Sequence, residues 1–343
     1  MEKLLLILVL IIVLVLLLIL YFKSNNKLSG LEPLALNIPS SGNNINTENI
    51  RTYSDLLKEY KSIPTTYGGI PKLIIKTSWH KLNKLPSEIR DALNIAIELN
   101  PDYKVYYFDD DDIDNFIKSY GEKEYSAYKK LIPGAYKADL FRYCILYKYG
   151  GCYSDIGHIM LKSLDYIIGD NKLVIVKDKP TLNYTGIHNA LICVVPSSTF
   201  IKKLVDLSVE NIEHLYYGEN PLDITGPIMM GKVFQCYYSN YCTQTLNENY
   251  LTKKEGIKIL ELVLINDAKI TNNQLVQKNK NMQLYITDNG VKVVKTKFDN
   301  YHKVMYNSNK KHYDKLWKNN KVYFTKVPWM VPGIMGPFGY SRY

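Results

Sequence analysis

The sequence predicts an α/β domain behind an N-terminal membrane-spanning helix, and three observations predict it. Within residues 73–108, a short β-branched and apolar run, a helically spaced segment and a second apolar run follow one another, the pattern of a βαβ unit. Two later runs, "KLVIVK" and "NALICVVP", have the same buried-strand character and precede another amphipathic helix. Residues 4–22, "LLLILVLIIVLVLLLILYF", are apolar without a break.

At 1.5 Å per residue that first run spans roughly 28 Å, about the hydrocarbon core of a bilayer. A cleaved signal peptide would have a shorter apolar stretch, about 7–15 residues, followed by small residues. Here "KSNNK" follows, so an uncleaved single-pass anchor is expected over residues 1–22. Lys3 lies on one side of it and Lys23 and Lys27 on the other, so the orientation stays open. Residues 23–68 are polar, contain "SSGNNINTEN" and read as a flexible stem, interrupted by a short helix near Tyr53. A chain beginning near Tyr67 is therefore expected to be soluble and folded. The catalytic-sized domain is expected over 69–325, with a tail over 326–343.

Within that domain, Leu73, Ile74 and Ile75 form the first strand. Ile89, Ala92, Leu93, Ala96 and Ile97 give 86–99 a helical apolar face, and "KVYYF" is the second strand. The acidic run at 109–112 suits a loop and helix N-terminus, where carboxylates complement the dipole, and lacks the ligand spacing of a calcium loop. "GAYKADLFRYCILYKY" is a helix capped by Gly150-Gly151. "CYSDIGHIML" is the third strand. Residues 198–215 form an amphipathic helix, and "NPLDITGPIMMG" is a Gly/Pro-punctuated loop opening into another. Short strands such as "IKILELVLI" and "MQLYITD" follow between 251 and 294.

The formal charge of +10 is spread over scattered lysines with acidic residues among them, and no Arg-rich stripe or nucleic-acid motif is present. A nucleic-acid partner is not expected, whereas a basic cleft suits an anionic donor. The five cysteines are odd in number and form no CxxC pair. Most read as buried small apolar residues, with a Cys236–Cys242 bridge open in an oxidising compartment.

The chemistry centres on "YGGCYSDIGHIML", residues 149–161. A Gly-Gly turn leads into a strand bearing Asp155. In an Asp-x-Asp pair, alternate strand residues point the same way and hold a divalent cation against a diphosphate. Gly157 stands where the second carboxylate would be, followed by His158. Asp139 and Arg142 share a helix face just before this strand, on a helix apolar enough to bury them in part.

These segments resemble glycosyltransferase family 32, the enzymes with a sugar-binding region containing a DXD motif, which include initiating α-1,6-mannosyltransferases and are distantly similar to the glucosylating clostridial toxins. The resemblance covers residues 70–317. "IPKLIIKTSW" looks like the family's opening block and "NPDYKVYYFDDDDIDNFI" like its N-P-x-Y segment. "YKADLFRYCILYKYGGCYSDI" is the most specific stretch, and "IHNALICVVPSSTF", "PLDITGPIMMG" and "HYDKLW" look like later blocks.

The resemblance implies a GT-A, Rossmann-like fold, a UDP- or GDP-hexose donor, a divalent cation such as Mn2+, a glycan or glycoprotein acceptor and anomeric retention. For a eukaryotic chain it implies a Golgi or ER lumen. It places Trp79, Asp139, Arg142, Tyr153, Asp155, His312 and Trp317 at the donor, although Trp79 also suits the core. Asp155 and Asn189 become the catalytic candidates, and Thr225 and Gly226 acceptor candidates. The metal falls to Asp155 and His158, with Gly157 giving the backbone room to turn. His158 is either that replacement ligand or a hydrogen-bonded strand-end histidine. If it is the ligand, metal-dependent activity falls as pH drops through about 6.5, and Gly157→Asp lowers the Mn2+ requirement. A catalytically inactive homologue that binds a sugar nucleotide or glycan is the alternative, and Gly157 is its support.

Overall fold

The computed structural model describes residues 50–180, 185–238, 255–266, 282–306 and 312–324. All fall in the compact unit Ile45–Tyr343. The expected anchor, residues 23–49 of the stem, Cys242 and the tail beyond 324 lie outside the described residues. No helix among the described residues is long and apolar enough to cross a membrane.

The βαβ unit forms as its periodicity predicts. Strand β2 (Leu73–Thr77) and strand β3 (Lys104–Phe108) are parallel, with Leu73 opposite Lys104 and Thr77 opposite Phe108. Helix α2 (Ser87–Leu99) connects them and buries Ile89, Ala92, Leu93 and Ala96. Asn100 ends α2: its amide donates to the Ala96 carbonyl at 2.8 Å, and its Oδ1 accepts from the Leu164 N–H at 2.6 Å.

The acidic run starts helix α3 (Asp110–Tyr120). Asp109 Oδ1 accepts from the N–H groups of Asp111 and Asp112 at 2.9 and 3.1 Å. These carboxylates satisfy donors that a helix start leaves unpaired. Helix α4 (Glu122–Lys130) follows. Helix α5 (Gly134–Tyr149) is buried on several sides, which is why its sequence is apolar nearly all round. It stops at two glycines with φ of +66° and +88°. A Cβ on Gly151 would sit 2.4 Å from the Leu73 side chain, so only glycine lets the chain turn there against β2.

Strand β4 (Gly151–Ser154) then runs parallel to β2 and antiparallel to strand β8 (Leu191–Val194). Here one expectation fails. "CYSDIGHIML" is not a single strand. The chain leaves β4 at Asp155 and turns, with the His158 N–H donating to the Asp155 carbonyl at 3.0 Å. It then forms strand β5 (Ile159–Met160), which pairs with strand β11 (Val291–Lys295). The strand order is β1-β3-β2-β4-β8-β6-β9-β10-β11-β5. So β4 lies in the sheet interior and β5 at its end. Strands β6 (Leu173–Pro180), β9 (Ile257–Asn266) and β10 (Met282–Asp288) fill the other half, and β7 (Thr185–Ile187) pairs with β6.

Because side chains alternate along strands, the sheet carries two cores. Leu73, Ile75, Tyr106 and Phe108 face one core with α3, α4 and α5, joined by helices α7 (Thr199–Glu213) and α8 (Pro227–Tyr237). Ile74, Val105 and Tyr107 face the other with α2 and helix α6 (Leu164–Ile168). Cys144, Cys152 and Cys193 are buried as free thiols.

The short helix expected near Tyr53 forms, but from residue 50 on the segment is packed into the domain rather than a flexible stem. Strand β1 (Ile50–Arg51) pairs in parallel with β3. Helix α1 (Tyr53–Glu59) buries Leu56 completely, and the Tyr53 ring packs edge-on against Phe116 at 5.6 Å. The Tyr53 hydroxyl meets Ser119 Oγ at 2.8 Å. Polar composition hid this because Ile50, Tyr53, Leu56 and Ile63 are the buried apolar side chains of residues 50–63 and the rest of that stretch is mostly polar. A chain starting near Tyr67 would lose β1 and α1 and uncover Phe108 and Phe116. It is expected to be less stable than one starting at residue 45 by roughly 5 kcal/mol, the scale of removing two large core side chains. Equal thermal midpoints for the two chains would show that the segment adds nothing to the fold.

Candidate functional site

Helix α5 and the β4 exit meet at a buried polar network. Asp139 and Arg142, one helical turn apart, both face the sheet. Arg142 Nη2 lies 3.3 Å from Asp139 Oδ1 and 3.4 Å from Asp155 Oδ1. Its Nη1 donates to the Asn189 carbonyl at 2.5 Å, and its guanidinium carbon sits 4.4 Å from the centroid of the Tyr153 ring. Asn189 Nδ2 donates to Asp139 Oδ1 at 3.0 Å and to the Tyr143 hydroxyl oxygen at 3.1 Å. Thr225 Oγ1 donates to Asp139 Oδ2 at 2.9 Å, and the Tyr143 hydroxyl donates to the Thr225 carbonyl at 2.8 Å.

Burial raises the Asp139 pKa to about 6, although Arg142 and the hydrogen bonds from Thr225 and Asn189 oppose that rise. Burial also pushes up the Tyr153 phenol, whose hydroxyl meets Thr77 Oγ1 at 3.0 Å. Exposure separates the roles within the network. The Asp155 side chain is 37% exposed, against 6% for Arg142 and 10% for Asp139. Asp155 can therefore meet a ligand directly, while Asp139 and Arg142 hold it in place.

Sequence reasoning missed Lys76. Its ammonium is buried under the turn that carries Asp155 and donates to Ser154 Oγ at 2.9 Å and to the Asp155 carbonyl at 3.0 Å. Burial lowers its pKa to about 7, against the pull of the Asp155 charge. The signal was a lysine inside the strand "LIIKT", every residue of which is buried. His188 was passed over as well. Its Nε2 is buried with no hydrogen-bond partner among the described residues, and burial lowers the pKa of its ring against the pull of Asp178 and Asp155.

Several expected roles need correction. His158 is buried and turned inward, with Nδ1 3.1 Å from Ser154 Oγ and its ring 6.2 Å from that of His188. Burial, with Lys76, His188 and Arg142, holds its pKa well below 6.5, so the ring stays neutral through the window in which a loss of metal-dependent activity was expected. Thr225 and Gly226 are buried, and Thr225 is spent on Asp139, so neither presents a surface to an acceptor. Asn189 is likewise enclosed between Asp139, Tyr143 and Arg142, which makes it a positioning residue rather than a catalytic one.

Trp79 is half-buried rather than in the core: its indole N–H donates to the Met305 carbonyl at 3.3 Å and its ring stacks on His80. The indole N–H of Trp317 is tied to the Tyr217 carbonyl at 2.7 Å, and its ring packs against the core beside α5. His312 caps helix α10 (Tyr313–Lys318), accepting from the Asp314 N–H, with its ring 5.3 Å from that of Tyr306.

The site does not fit the divalent cation that an Asp-x-Asp pair would hold. Asp155 supplies one carboxylate and Gly157 none. A Cβ on Gly157 would lie 2.5 Å from Tyr301 Cε2 and 3.3 Å from the Thr296 carbonyl oxygen, so the Tyr301 ring fills the space of the second carboxylate. Tyr301 opens helix α9 (Tyr301–Met305), and burial together with the Asp155 charge pushes its phenol pKa up. His158 points away, and among the described residues no group of three His, Cys, Asp or Glu could hold a metal.

Comparison with known proteins supports the resemblance. Residues 86–174 match the family model described as "Glycosyltransferase sugar-binding region containing DXD motif". An uncharacterized glycosyltransferase of Acanthamoeba polyphaga mimivirus is 35% identical over 101 residues, which cover 29% of this chain and 40% of that protein. Inositol phosphoceramide mannosyltransferase 3 of Schizosaccharomyces pombe is 35% identical over 104 residues, covering 29% of this chain and 28% of its own. The initiation-specific alpha-1,6-mannosyltransferase of Candida albicans is 38% identical over 96 residues, covering 26% and 24%. Each alignment thus spans less than half of the relative. The solved structure of PaToxG glycosyltransferase overlays with a TM-score of 0.41 at 18% identity, over 58% of this chain and 81% of that one, too loosely to bear on the fold. The matched segment carries Asp139, Arg142, Tyr153 and Asp155, and residues 86–174 of this chain are similar to the sugar-binding region of the DXD-motif glycosyltransferases.

Proposed function

We propose that this protein is a glycosyltransferase of GT-A type that moves a hexose from a nucleotide sugar to a hydroxyl of a glycan, glycoprotein or glycolipid. The carrying observation is the half-exposed Asp155 carboxylate, held at the end of β4 by the buried Arg142. The relatives named mannosyltransferases make mannose the first sugar to test. Anchoring through residues 4–22 and a secretory-pathway location belong to the same proposal.

In the reaction the acceptor oxygen bonds to the anomeric carbon and gives up its proton to the departing diphosphate oxygen. The bond from that carbon to the diphosphate oxygen breaks, and its electron pair leaves with the nucleoside diphosphate. Asp155 accepts hydrogen bonds from donor hydroxyls and fixes the sugar for attack. Arg142 keeps the Asp155 carboxylate aimed. Asp139, braced by Asn189 and Thr225, holds Arg142. Retention of anomeric configuration is part of the proposal.

One observation favours the inactive-homologue reading: Tyr301 stands in the second carboxylate's place. Incubation with UDP- and GDP-hexoses separates the two. An enzyme releases nucleoside diphosphate, and Asp155→Asn is expected to reduce that release by about 100-fold or more, the scale of losing one preorganised transition-state contact. Donor binding without release from any of these sugars would leave only the binder.

A further inference from the structure

We propose that the donor diphosphate is held here without a divalent cation, its charge met by the Lys297 ammonium and the His188 Nε2–H, with Tyr301 closing the place a metal would take. The proposal rests on the nucleotide-sugar reading and names how that donor is bound.

A departing nucleoside diphosphate develops negative charge that something in the site must stabilise. The donor set argues against a metal, since the site offers a single carboxylate at the turn and a tyrosine ring where the second would project. The Lys76 Nζ already donates to the Asp155 carbonyl from the underside of the same turn, so that oxygen is engaged on the protein side.

Arg142 cannot take over the task. Its guanidinium is spent on the Asn189 carbonyl, Asp139, Asp155 and the Tyr153 face. Lys297 is differently placed. It lies beside Tyr301, with Nζ 5.2 Å from that ring's centroid and 3.3 Å from His302 Nε2, and it makes no ion pair among the described residues. It also borders a cleft of about 600 Å³ shared with Tyr301 and His302, so solvent and ligand can reach this wall.

The second, independent observation is His188. A buried ring nitrogen with no partner is rare and costs stability unless a ligand or water completes it. His188 directly precedes Asn189, whose carbonyl accepts from Arg142 Nη1, and its ring lies 6.2 Å from that of His158, which places it beside the Asp155 turn. An imidazole N–H and an ammonium together supply donors suited to phosphate oxygens.

The test is calorimetric titration of UDP and GDP into the full-length chain in detergent buffer, once with excess EDTA and once with excess Mn2+. The expected Kd values agree within about twofold between the two conditions. Lys297→Ala is expected to weaken binding about tenfold in EDTA, the scale of one charge-assisted hydrogen bond, and Lys297→Arg to keep most of the affinity. His188→Ala is expected to weaken it several-fold. Uridine and guanosine, which lack phosphates, should bind wild type and Lys297→Ala alike. Tightening of wild-type binding by Mn2+ of about tenfold or more would overturn the metal-free assignment and leave the nucleotide-sugar reading standing. Unchanged binding in Lys297→Ala would overturn the role of Lys297. No binding of either nucleoside diphosphate in either condition would bring down the nucleotide-sugar reading itself.

Discussion

Arg142→Ala is expected to cost both activity and about 3–5 kcal/mol of stability, the usual penalty for removing one partner of a buried ion pair. The guanidinium is 95% enclosed and holds together Asp139, Asp155 and the Asn189 carbonyl. Arg142→Lys should lose most of this as well. An ammonium can neither reach three acceptors in one plane nor lie flat on Tyr153.

The pH dependence gives a sharper check. Asp139 has a folded pKa of about 6, above its unfolded value of 3.8. Between those values the native state binds the extra proton, so this group's contribution to stability declines as pH rises to about 6 and is level above it. Without Arg142 the folded pKa rises further and the decline extends to higher pH. The stability deficit of Arg142→Ala relative to wild type should therefore be smaller at pH 5 than at pH 8. Thermal unfolding at the two pH values measures it. A deficit that is absent at pH 8 would remove Arg142 as the partner of a buried carboxylate.

Gly157→Asp is the second large effect, and its expected direction reverses the one drawn from the motif. Restoring the Asp-x-Asp spelling should destabilise the protein rather than sharpen its response to Mn2+. The new Cβ would stand 2.5 Å from Tyr301 Cε2 and 2.8 Å from Cδ2. The ring cannot simply swing away. Tyr301 follows Phe298, whose N–H donates to the Gly157 carbonyl at 3.1 Å, and the two rings pack at 5.3 Å. Overpacking of this kind costs about 1–3 kcal/mol, and a partly buried carboxylate adds to it. Tyr301→Ala should open the space, so the double variant Gly157→Asp/Tyr301→Ala is expected to melt above the sum of the two single effects. Calorimetry with Mn2+ should show tighter binding to the double variant than to wild type. A Gly157→Asp variant that melts with wild type would mean that Tyr301 does not fill that space.

Residues with local periodicity were legible from the sequence. The spacing of Ile89, Ala92, Leu93 and Ala96 determined α2, and the two short runs flanking it determined a parallel β2–β3 pair. The Gly-Gly stop after α5, the helix start at Asp109 and the shared face of Asp139 and Arg142 were equally readable. Each depends on residues within a turn or two of one another, where backbone geometry leaves few choices. The association of Asp139, Arg142 and Asp155 followed from the same local logic combined with a family pattern.

The tertiary structure decided what surrounds Asp155. The turn at 155–158 sends β5 to pair with β11, so the alternation that would aim a second ligand beside Asp155 ends one residue too soon. His158 consequently faces Ser154, and Thr225 and Asn189 became braces for Asp139 instead of an acceptor contact and a catalytic residue. Lys76, His188 and the Lys297–Tyr301 pair arrive from three separate segments, and no local spacing links the three. The tyrosine that fills the place of the missing carboxylate comes from a helix far downstream. Whether Gly157 is a gap or a filled space depended on a long-range contact, and such contacts are set by how the sheet closes and its helices pack, which periodicity does not encode.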